Sequence, residues 1–261
     1  MSLTSESKIA LGKRLRHCSV IHSLGVKIDP DFYPRKHLEL LQKSSIIYYP
    51  THHYEDVLTA LGKRIFPRNY YHYLGNKIKQ TELFTILGIP HPRTQIYYSR
   101  NRKQKILQDF DFPFVAKIPV GSSQGKGVYL IRNEHDLDSY LEQTRPAYIQ
   151  EYLAFDRDLR IVVIGRQIVH AYWRIGKEND FRHNVSQGAE ISFENIPVEA
   201  LEFALYVAGK CGFDEVGLDI CRVDNRFYVL EANMVYGLVG FRLANKDIHA
   251  SLSKLAEKGI I

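Results

Sequence analysis

The sequence has few cysteines, a single tryptophan and no long apolar run. Its 261 residues contain three cysteines, Cys18, Cys211 and Cys221, without CxxC spacing. This odd, scattered set argues against a disulfide framework and is typical of free thiols in a reducing cytosol. The longest apolar runs, such as Ile161–Ile164, fall far short of the roughly 18–20 residues that span a bilayer. The first ten residues are polar and do not resemble a signal peptide. We therefore expect a cytoplasmic protein without a membrane partner.

The composition is that of a globular protein with an uneven charge distribution. Hydrophobic residues make up 45% of the chain and charged residues 25%, which excludes disordered and collagen-like classes. The net charge is +6, but residues 1–110 hold 18 Lys+Arg and 8 Asp+Glu, whereas the remainder holds 17 and 21. A basic front half indicates an anionic partner: nucleic acid, an acidic peptide or a phosphorylated small molecule. A basic surface that only aids solubility is the alternative.

The front of the chain alternates short apolar runs with helical patterns. We predict strands at 19–22, 45–49 and 64–66, with helices at 34–43 and 53–61 between them. This βαβαβ order predicts a small, mostly parallel sheet.

Behind this segment, strands and helices mix in an order that favours α+β lobes over a doubly wound sheet. We predict helices at 76–87, 134–143 and 197–211, and strands at 94–98, 114–118, 128–131, 148–151, 159–164, 167–174, 216–222 and 227–233.

The last two of these strands form a predicted hairpin with carboxylates on one face. Asp219 and Glu231 are placed opposite each other about a turn near residue 225, and Asn233 shares the face of Glu231. Two like charges placed directly opposite each other destabilise the pairing of two strands. A divalent cation such as Mg²⁺ bound between them removes that penalty. The alternative is that one carboxylate faces solvent or pairs with Arg222 or Arg226.

A glycine-rich loop, Gly121–Gly127, follows Lys117 between two predicted strands. Its glycines allow backbone N–H groups to approach phosphate oxygens, and its serines and lysine add donors and charge. It is not a Walker A loop, which needs four residues between the first glycine and Gly-Lys and then a helix. The alternative is a simple hairpin turn.

Three arginines suit a transferring phosphoryl group or a carboxylate. The guanidinium fork of Arg160, Arg174 or Arg182 binds either group bidentately. Surface salt bridges are the alternative, with partners among Glu178, Asp180 and Glu190.

Together, in this order, these motifs resemble the ATP-grasp superfamily and, within it, the RimK-like branch of the ribosomal-protein glutamate ligase. The resemblance covers about two-thirds of the chain. The matching stretches are Asn76-Lys-Ile-Lys-Gln-Thr, Gly88-Ile-Pro-His-Pro-Arg-Thr94, Phe112-Pro-Phe-Val-Ala-Lys117, the glycine-rich loop, Gln150-Glu-Tyr152, Asp158-Leu-Arg160, Asp180-Phe-Arg-His-Asn184, Gly217-Leu-Asp219 and Leu230-Glu-Ala-Asn233, followed by Gly237 and Gly240-Phe241.

The resemblance implies an α+β ATP-grasp fold, in which two α+β lobes grip ATP after a short βαβ-type N-terminal segment. The implied domains are an N-terminal α/β domain at 1–75, a small lobe with the glycine-rich loop at 76–148, and a large lobe with the magnesium site at 149–261.

The resemblance also implies a role for each matching residue. ATP phosphate is assigned to Lys117 and Lys77, and to Gly121, Ser122, Ser123, Gly125 and Gly127 of the loop. Adenine is assigned to the hinge at Glu151 and Tyr152, ribose to Asp158, and the phosphates and acyl-phosphate site to Arg182 and Asn184. Arg160 and Arg174 steady the transferring group. Magnesium, with Mn²⁺ as the alternative ion, is assigned to Asp219, Glu231 and Asn233.

The activity that the resemblance implies is ATP-dependent ligation of a carboxylate to an amine. ATP phosphorylates the carboxylate, and the amine then displaces phosphate from the acyl phosphate, so the protein mainly positions groups and neutralises charge. Members of this branch usually continue after the asparagine at position 233 with a small residue and Pro-Gly, whereas this chain has Met234–Tyr236. The front segment is also short for the family. The alternative function is therefore an ATP-binding module without ligase turnover that acts by interaction.

The basic front is then predicted to form one wall of the acceptor site and to favour an acidic peptide or a polycarboxylate over nucleic acid. The same segment is rich in tyrosine and histidine, which we interpret mainly as packing between lobes. His52 and His53 are adjacent and cannot share a helix face, and no cysteine lies at zinc spacing, which argues against a zinc site.

Overall fold

The computed structural model describes residues 8–121, 127–176 and 190–261. These residues form three β-sheets with helices packed on them. Among them, no helix has the length and apolar character needed to cross a membrane.

The first sheet is small and entirely parallel, as predicted. Its four strands run in the order β2-β1-β3-β4, and each neighbouring pair is parallel. The first strand of this sheet has only two residues and is not predicted from the sequence. The second strand is predicted to begin three residues before its observed start. The elements are β1 (Ile9–Ala10), β2 (His22–Ser23), α1 (Arg35–Lys43), β3 (Ile46–Tyr48), α2 (Thr51–Ala60) and β4 (Arg64–Phe66).

The second sheet is antiparallel, with strand order β5-β8-β6-β7. Its last strand in sequence, β8, crosses the domain boundary drawn at 148/149, and the boundaries stay a prediction. The elements are α3 (Lys77–Leu87), β5 (Thr94–Tyr97), α4 (Arg102–Asp109), β6 (Phe114–Lys117), β7 (Val128–Ile131), α5 (Glu134–Gln143) and β8 (Ala147–Glu151).

The third sheet is also antiparallel, with strand order β11-β10-β9-β12-β13. Two C-terminal helices, which the sequence analysis does not predict, follow it. The elements are β9 (Arg157–Ile164), β10 (Gln167–Ile175), β11 (Glu190–Ser192), α6 (Val198–Cys211), β12 (Glu215–Val223), β13 (Arg226–Asn233), α7 (Val239–Leu243) and α8 (Ile248–Glu257).

The second half of strand β9, residues 161–164, is apolar without alternation because both faces of its sheet are covered. Leu159, Ile161 and Val163 pack in the core formed with α6. Val162 and Ile164, on the opposite face, pack in a second core that includes residues of the front segment. A run of buried positions on both faces therefore builds two cores from one strand.

The aromatic residues of the front segment pack against the third sheet, as predicted. Tyr48, Tyr49 and Phe66 share a core with Val162 and Ile164. The packing role assigned to this part of the tyrosine-rich segment is confirmed.

A buried polar cluster joins the front segment to β12 at the same interface. Glu215 is fully buried and accepts hydrogen bonds from Tyr49 Oη at 2.7 Å, Tyr236 Oη at 2.7 Å and Arg14 Nη2 at 2.5 Å. Burial by itself lowers the pKa of Arg14, but Glu215 and the tyrosines raise it above its ordinary value. A Cβ on Gly217 would lie 2.7 Å from Tyr236 Cβ, so glycine is needed for this close packing. Tyr236, in the segment that departs from the family pattern, is thus a structural contact of Glu215.

Helix α3 begins one residue after the predicted start at 76 and ends at the predicted residue 87. Asn76 is its N-cap and accepts from the Lys79 N–H at 3.1 Å, a role that asparagine fills as well as aspartate. Gly88 ends the helix with a φ of 65°, the left-handed conformation in which glycine is favoured. The helix start therefore fixes the position of Lys77, the first helical residue.

Candidate active site

A cleft of about 690 Å³, including its open mouth, lies between the second and third sheets. Its apolar walls include Val115 and Val128 from the second sheet and Leu230 from the third. Its polar lining comes from both sheets and comprises Lys117, Gln150, Glu151, Asp158, Arg174, Asp219 and Glu231. The cleft therefore collects most of the predicted site residues that the structure describes.

The β12–β13 hairpin brings two carboxylates of the cleft face to face. Its turn residues Asp224 and Asn225 have positive φ values of 47° and 62°, as a type I′ turn requires. A regular ladder from this turn would set Asp219 opposite Leu230, but the register shifts beyond Ile220 and Asp219 pairs with Glu231. The predicted Asp219–Glu231 pairing is confirmed, and a β-bulge, a common device beside active sites, produces it.

Lys77 neutralises the Glu231 carboxylate from outside the hairpin. Lys77 Nζ lies 3.2 Å from Glu231 Oε1, and the lysine is 5% exposed. The alternative partner Arg222 instead donates to Asn225 Oδ1 at 3.0 Å, and no described ion pair joins Arg226 to either carboxylate. Glu231 is therefore paired with Lys77 of α3 and not with an arginine of its own hairpin.

Asp219 lies in a buried cluster of alternating charges. Arg160 is its cross-strand neighbour and donates to both carboxylate oxygens, through Nε and, at 3.1 Å, through Nη2. Arg174 Nη2 lies 3.0 Å from Asp219 Oδ2, and Arg174 also donates to Asp158, its own cross-strand partner, at 2.6 and 2.8 Å. Asn233 Nδ2 donates to Asp219 Oδ2 at 3.1 Å.

The electrostatic balance of this cluster keeps Asp219 ionised. Burial by itself raises the pKa of Asp219, but Arg160 and Arg174 hold it below the usual range of an aspartate. Burial lowers the pKa of Arg174, but Asp158 and Asp219 raise it above its ordinary value. Both arginines and both aspartates are at most 7% exposed. The four groups thus form two mutually compensating, buried cross-strand pairs.

These contacts change the interpretation of three residues. The sequence analysis assigns Arg160 and Arg174 to a transferring group and Asp158 to a ribose. All three form ion pairs in the structure, because the strand order β10-β9-β12 sets them beside one another and beside Asp219. Surface salt bridges, the other option for the two arginines, are wrong, since both are buried. Roles toward ligands stay predictions.

Lys117 is a buried cation of the cleft that neighbours both carboxylates. It is 8% exposed and ends β6, the strand that precedes the glycine-rich loop. Burial and, to a smaller extent, the neighbouring Lys77 lower the pKa of Lys117 to about 8, although Glu231 and Asp219 act in the opposite direction. Such a lysine is poised to become fully charged when an anion enters the cleft.

The ends of the glycine-rich loop close a hairpin, while its centre is outside the described residues. Gly121 and Gly127 both have a φ of 75°, and the Ile118 N–H donates to the Gly127 carbonyl at 2.7 Å. The Gly121 N–H donates to the carbonyl of Gly75 at 3.2 Å. The predicted site residues outside the described part of the chain are Ser122, Ser123, Gly125, Arg182 and Asn184.

The predicted hinge residues lie at the edge of the cleft. Glu151 ends β8, its N–H donates to the Arg93 carbonyl at 2.9 Å, and its Oε1 accepts from the Arg93 N–H at 2.6 Å. This reciprocal pair fixes the backbone before Tyr152, which is 38% exposed at the cleft. The side chain of Glu151 thus has a local structural partner.

Gln80 and Thr81 are positioning residues that the sequence analysis does not identify. Gln80 bonds the backbone of Ala232 twice, as donor to its carbonyl at 2.7 Å and as acceptor from its N–H at 3.0 Å. Thr81 shares a 2.7 Å hydrogen bond with Tyr148 Oη of the second sheet. Both lie one helical turn after Lys77, and that i+3 and i+4 spacing is the signal that could have identified them.

Comparison with known proteins identifies related chains. The model of the RimK-like ATP-grasp domain matches residues 75–255. A probable alpha-L-glutamate ligase of Alkalilimnicola ehrlichii is 31% identical over 191 residues, which are 70% of this chain and 63% of that protein. A ribosomal protein bS6--L-glutamate ligase of Escherichia fergusonii is 30% identical with the same coverage. The chain thus spans less than two-thirds of the length of these relatives.

Solved structures share the fold. A RimK domain ATP-grasp protein from Sphaerobacter thermophilus superposes with a TM-score of 0.61 at 15% identity, covering 81% of each chain. The ATP-grasp ligase PsnB, in complex with precursor peptide PsnA2 and AMPPNP, superposes with a TM-score of 0.67 at 15% identity, covering 99% of each chain. The α+β ATP-grasp fold expected from the sequence is confirmed.

Proposed function

Because the chain belongs to the RimK-like ATP-grasp family, we propose that it is an ATP-dependent ligase that joins a carboxylate to an amine through an acyl phosphate. The observation that carries this proposal is the cleft in which Asp219 and Glu231 face each other beside Lys117 and Lys77. Two carboxylates and two lysines in one water-restricted site suit a metal-bound polyphosphate.

The walls of the cleft divide the binding of ATP between apolar and charged surfaces. Val115, Val128 and Leu230 supply apolar contacts for the adenine, next to the hinge backbone around Tyr152. Lys117 and Lys77 lie toward the carboxylates and attract the phosphates. In-line phosphoryl transfer then depends mainly on this positioning and on charge neutralisation.

The donor set fits a magnesium ion. Asp219 and Glu231 offer carboxylate oxygens across the hairpin, and Asn233, two residues further along β13, offers an amide oxygen. These are the hard oxygen ligands that Mg²⁺ takes, and Mn²⁺ accepts the same set. Bound there, the ion would neutralise the charge that develops on the phosphates. Arg160 and Arg174, whose contacts with Asp219 are already made, would hold that carboxylate in place.

The acceptor is proposed to be acidic. The basic front, with 18 Lys+Arg against 8 Asp+Glu over residues 1–110, would attract an acidic peptide or a polycarboxylate. Relatives named as glutamate ligases, one of them for a ribosomal protein, support an amino acid as the amine and a polypeptide as the carboxylate. The peptide complex of PsnB supports a peptide substrate in this fold.

The test is ADP release and product mass in a substrate panel. Purified protein with Mg²⁺ and ATP is incubated with L-glutamate and peptides of equal length that are acidic or basic. We expect ADP release that depends on the peptide and a mass gain of one amino-acid residue, larger with acidic peptides. Tight ATP binding without ADP release for any pair would favour the ATP-binding module. Equal activity on acidic and basic peptides would remove the proposed preference.

The lowered pKa of Lys117 predicts that ATP affinity depends on pH. With a pKa of about 8, Lys117 is mostly charged at pH 7 and mostly neutral at pH 9. Only the charged form attracts phosphate, so the dissociation constant for ATP should rise about tenfold between pH 7 and pH 9. Isothermal titration calorimetry at both pH values measures it. A Lys117→Arg variant stays charged throughout and should lose the dependence. An unchanged dependence in this variant would assign it to another group.

A further inference from the structure

A cluster of potential metal ligands lies in the front segment, outside the cleft. Helix α2 contributes Glu55 and Asp56, and His72 comes from the segment between β4 and α3. His72 Nε2 lies 3.6 Å from Glu55 Oε2 and 3.5 Å from Asp56 Oδ1. One ligand atom from each of the three residues falls within 4.8 Å of the others. That spacing is compatible with one ion at the centre.

The buried carboxylate of Glu55 is incompletely satisfied. Glu55 is 5% exposed, and its Oε2 has no hydrogen-bond partner. A buried anionic oxygen without a donor is costly, and each such atom needs a physical reason. This is the Glu55 oxygen that lies 3.6 Å from His72 Nε2. A bound cation between the two residues would supply the missing partner.

Helical spacing brings a fourth candidate ligand to the same face of α2. His52 precedes Glu55 and Asp56 by three and four residues, so the three side chains lie on one face. The rings of His52 and His72 meet edge to face with their centroids 6.4 Å apart. His53 points elsewhere and packs edge-on against Tyr54. The adjacent histidines His52 and His53 do not form a zinc site together, as expected from the sequence. His52 instead lies near His72, twenty positions away in the sequence.

We propose that His72, Glu55 and Asp56 bind a divalent transition-metal ion and that the ion is zinc. Imidazole nitrogen together with carboxylate oxygen suits Zn²⁺ and disfavours Mg²⁺, which selects oxygen ligands alone. The site is independent of the nucleotide cleft. It ties α2 to the segment that leads into α3, five residues before Lys77.

Calorimetric titration of the full chain with ZnCl₂, without nucleotide and after chelator treatment and its removal, tests the site. We expect one zinc ion per chain at this site, and an affinity at least tenfold lower in a His72→Ala variant. Loss of residues that only support a ligand typically costs 10–100-fold, so loss of a ligand should cost no less. Since His72 is exposed at the surface, its removal leaves the fold intact.

Matched variants separate this site from other zinc-binding groups. His53→Ala, which removes a neighbouring exposed histidine of the same helix, should bind zinc as the unaltered chain does. Zinc should raise the melting temperature of the unaltered chain and of His53→Ala but not of His72→Ala. Equal zinc affinity in His72→Ala and the unaltered chain, or no stoichiometric binding by the unaltered chain, would overturn the proposal.

Discussion

ATP turnover is expected to fall by about two to three orders of magnitude when Glu231 is replaced by glutamine. The substitution keeps the size of the side chain but removes one of the two carboxylates proposed to hold magnesium. It also removes the negative charge that Lys77 Nζ contacts at 3.2 Å. The position is only partly buried, with a 26% exposed side chain, so the fold should tolerate the change. Initial rates of ADP release at saturating ATP measure the effect.

The dependence on metal concentration shows how Glu231 acts. In Glu231→Gln, the magnesium concentration needed for half-maximal rate should rise, because a ligand of the ion is missing. The matched control is Asp224→Asn, the same carboxylate-to-amide change in the exposed turn of the same hairpin, where asparagine accepts the positive φ of 47°. Turnover by Asp224→Asn should equal that of the unaltered chain. Full turnover by Glu231→Gln would contradict the proposed metal site.

Replacing Arg14 by methionine is expected to lower the free energy of unfolding by about 3–5 kcal/mol, the usual cost of removing one partner of a buried ion pair. Glu215 is fully buried, and Arg14 is the cation that its carboxylate contacts. Without it, two tyrosine hydroxyls alone would face a buried anion. Because Arg14 and Tyr49 belong to the front segment and Glu215 begins β12, the loss weakens the interface between the front segment and the third sheet. Urea denaturation followed by circular dichroism measures the change.

A double-substitution cycle distinguishes the ion pair from simple packing. Lys13→Met, at an exposed position beside Arg14, is the control and should change stability by less than about 0.5 kcal/mol. In Arg14→Met with Glu215→Gln, the penalty of the unpaired charge is absent, so the combined loss should be smaller than the sum of the single losses. Additive losses would show that the charges of Arg14 and Glu215 do not interact.

The β12–β13 hairpin shows which features of the site can be predicted from the sequence and which cannot. Alternation and turn residues suffice to place the two strands and to bring Asp219 close to Glu231, but they do not set the exact pairing. A two-residue turn at Asp224–Asn225 would, in a regular ladder, put Leu230 opposite Asp219, so the pairing depends on a bulge that no local pattern predicts. The site geometry therefore rests on one irregular residue of β13.

Contacts between distant strands are beyond what periodicity can predict. Arg160 and Arg174 read as candidate ligand-binding residues because their sheet neighbours are unknown until the order β10-β9-β12 is known. Lys77 and Glu231 meet only because α3 packs beside β13. Helices α4 and α8, by contrast, are local elements whose amphipathic patterns were available and are simply missed.

The charges around Asp219 and Glu231 also determine whether the nucleotide or the metal ion binds first. Among the described residues around the Asp219–Glu231 pair, four cations, Lys77, Lys117, Arg160 and Arg174, lie beside three carboxylates, those of Asp158, Asp219 and Glu231. The carboxylate of Glu151, at the edge of the cleft, instead accepts from the Arg93 N–H. With Lys117 charged, this group of seven side chains carries an excess of one positive charge. A bare divalent ion meets repulsion there, whereas a polyphosphate meets attraction. Nucleotide should thus enter first or together with its metal, and by reciprocity each strengthens the retention of the other.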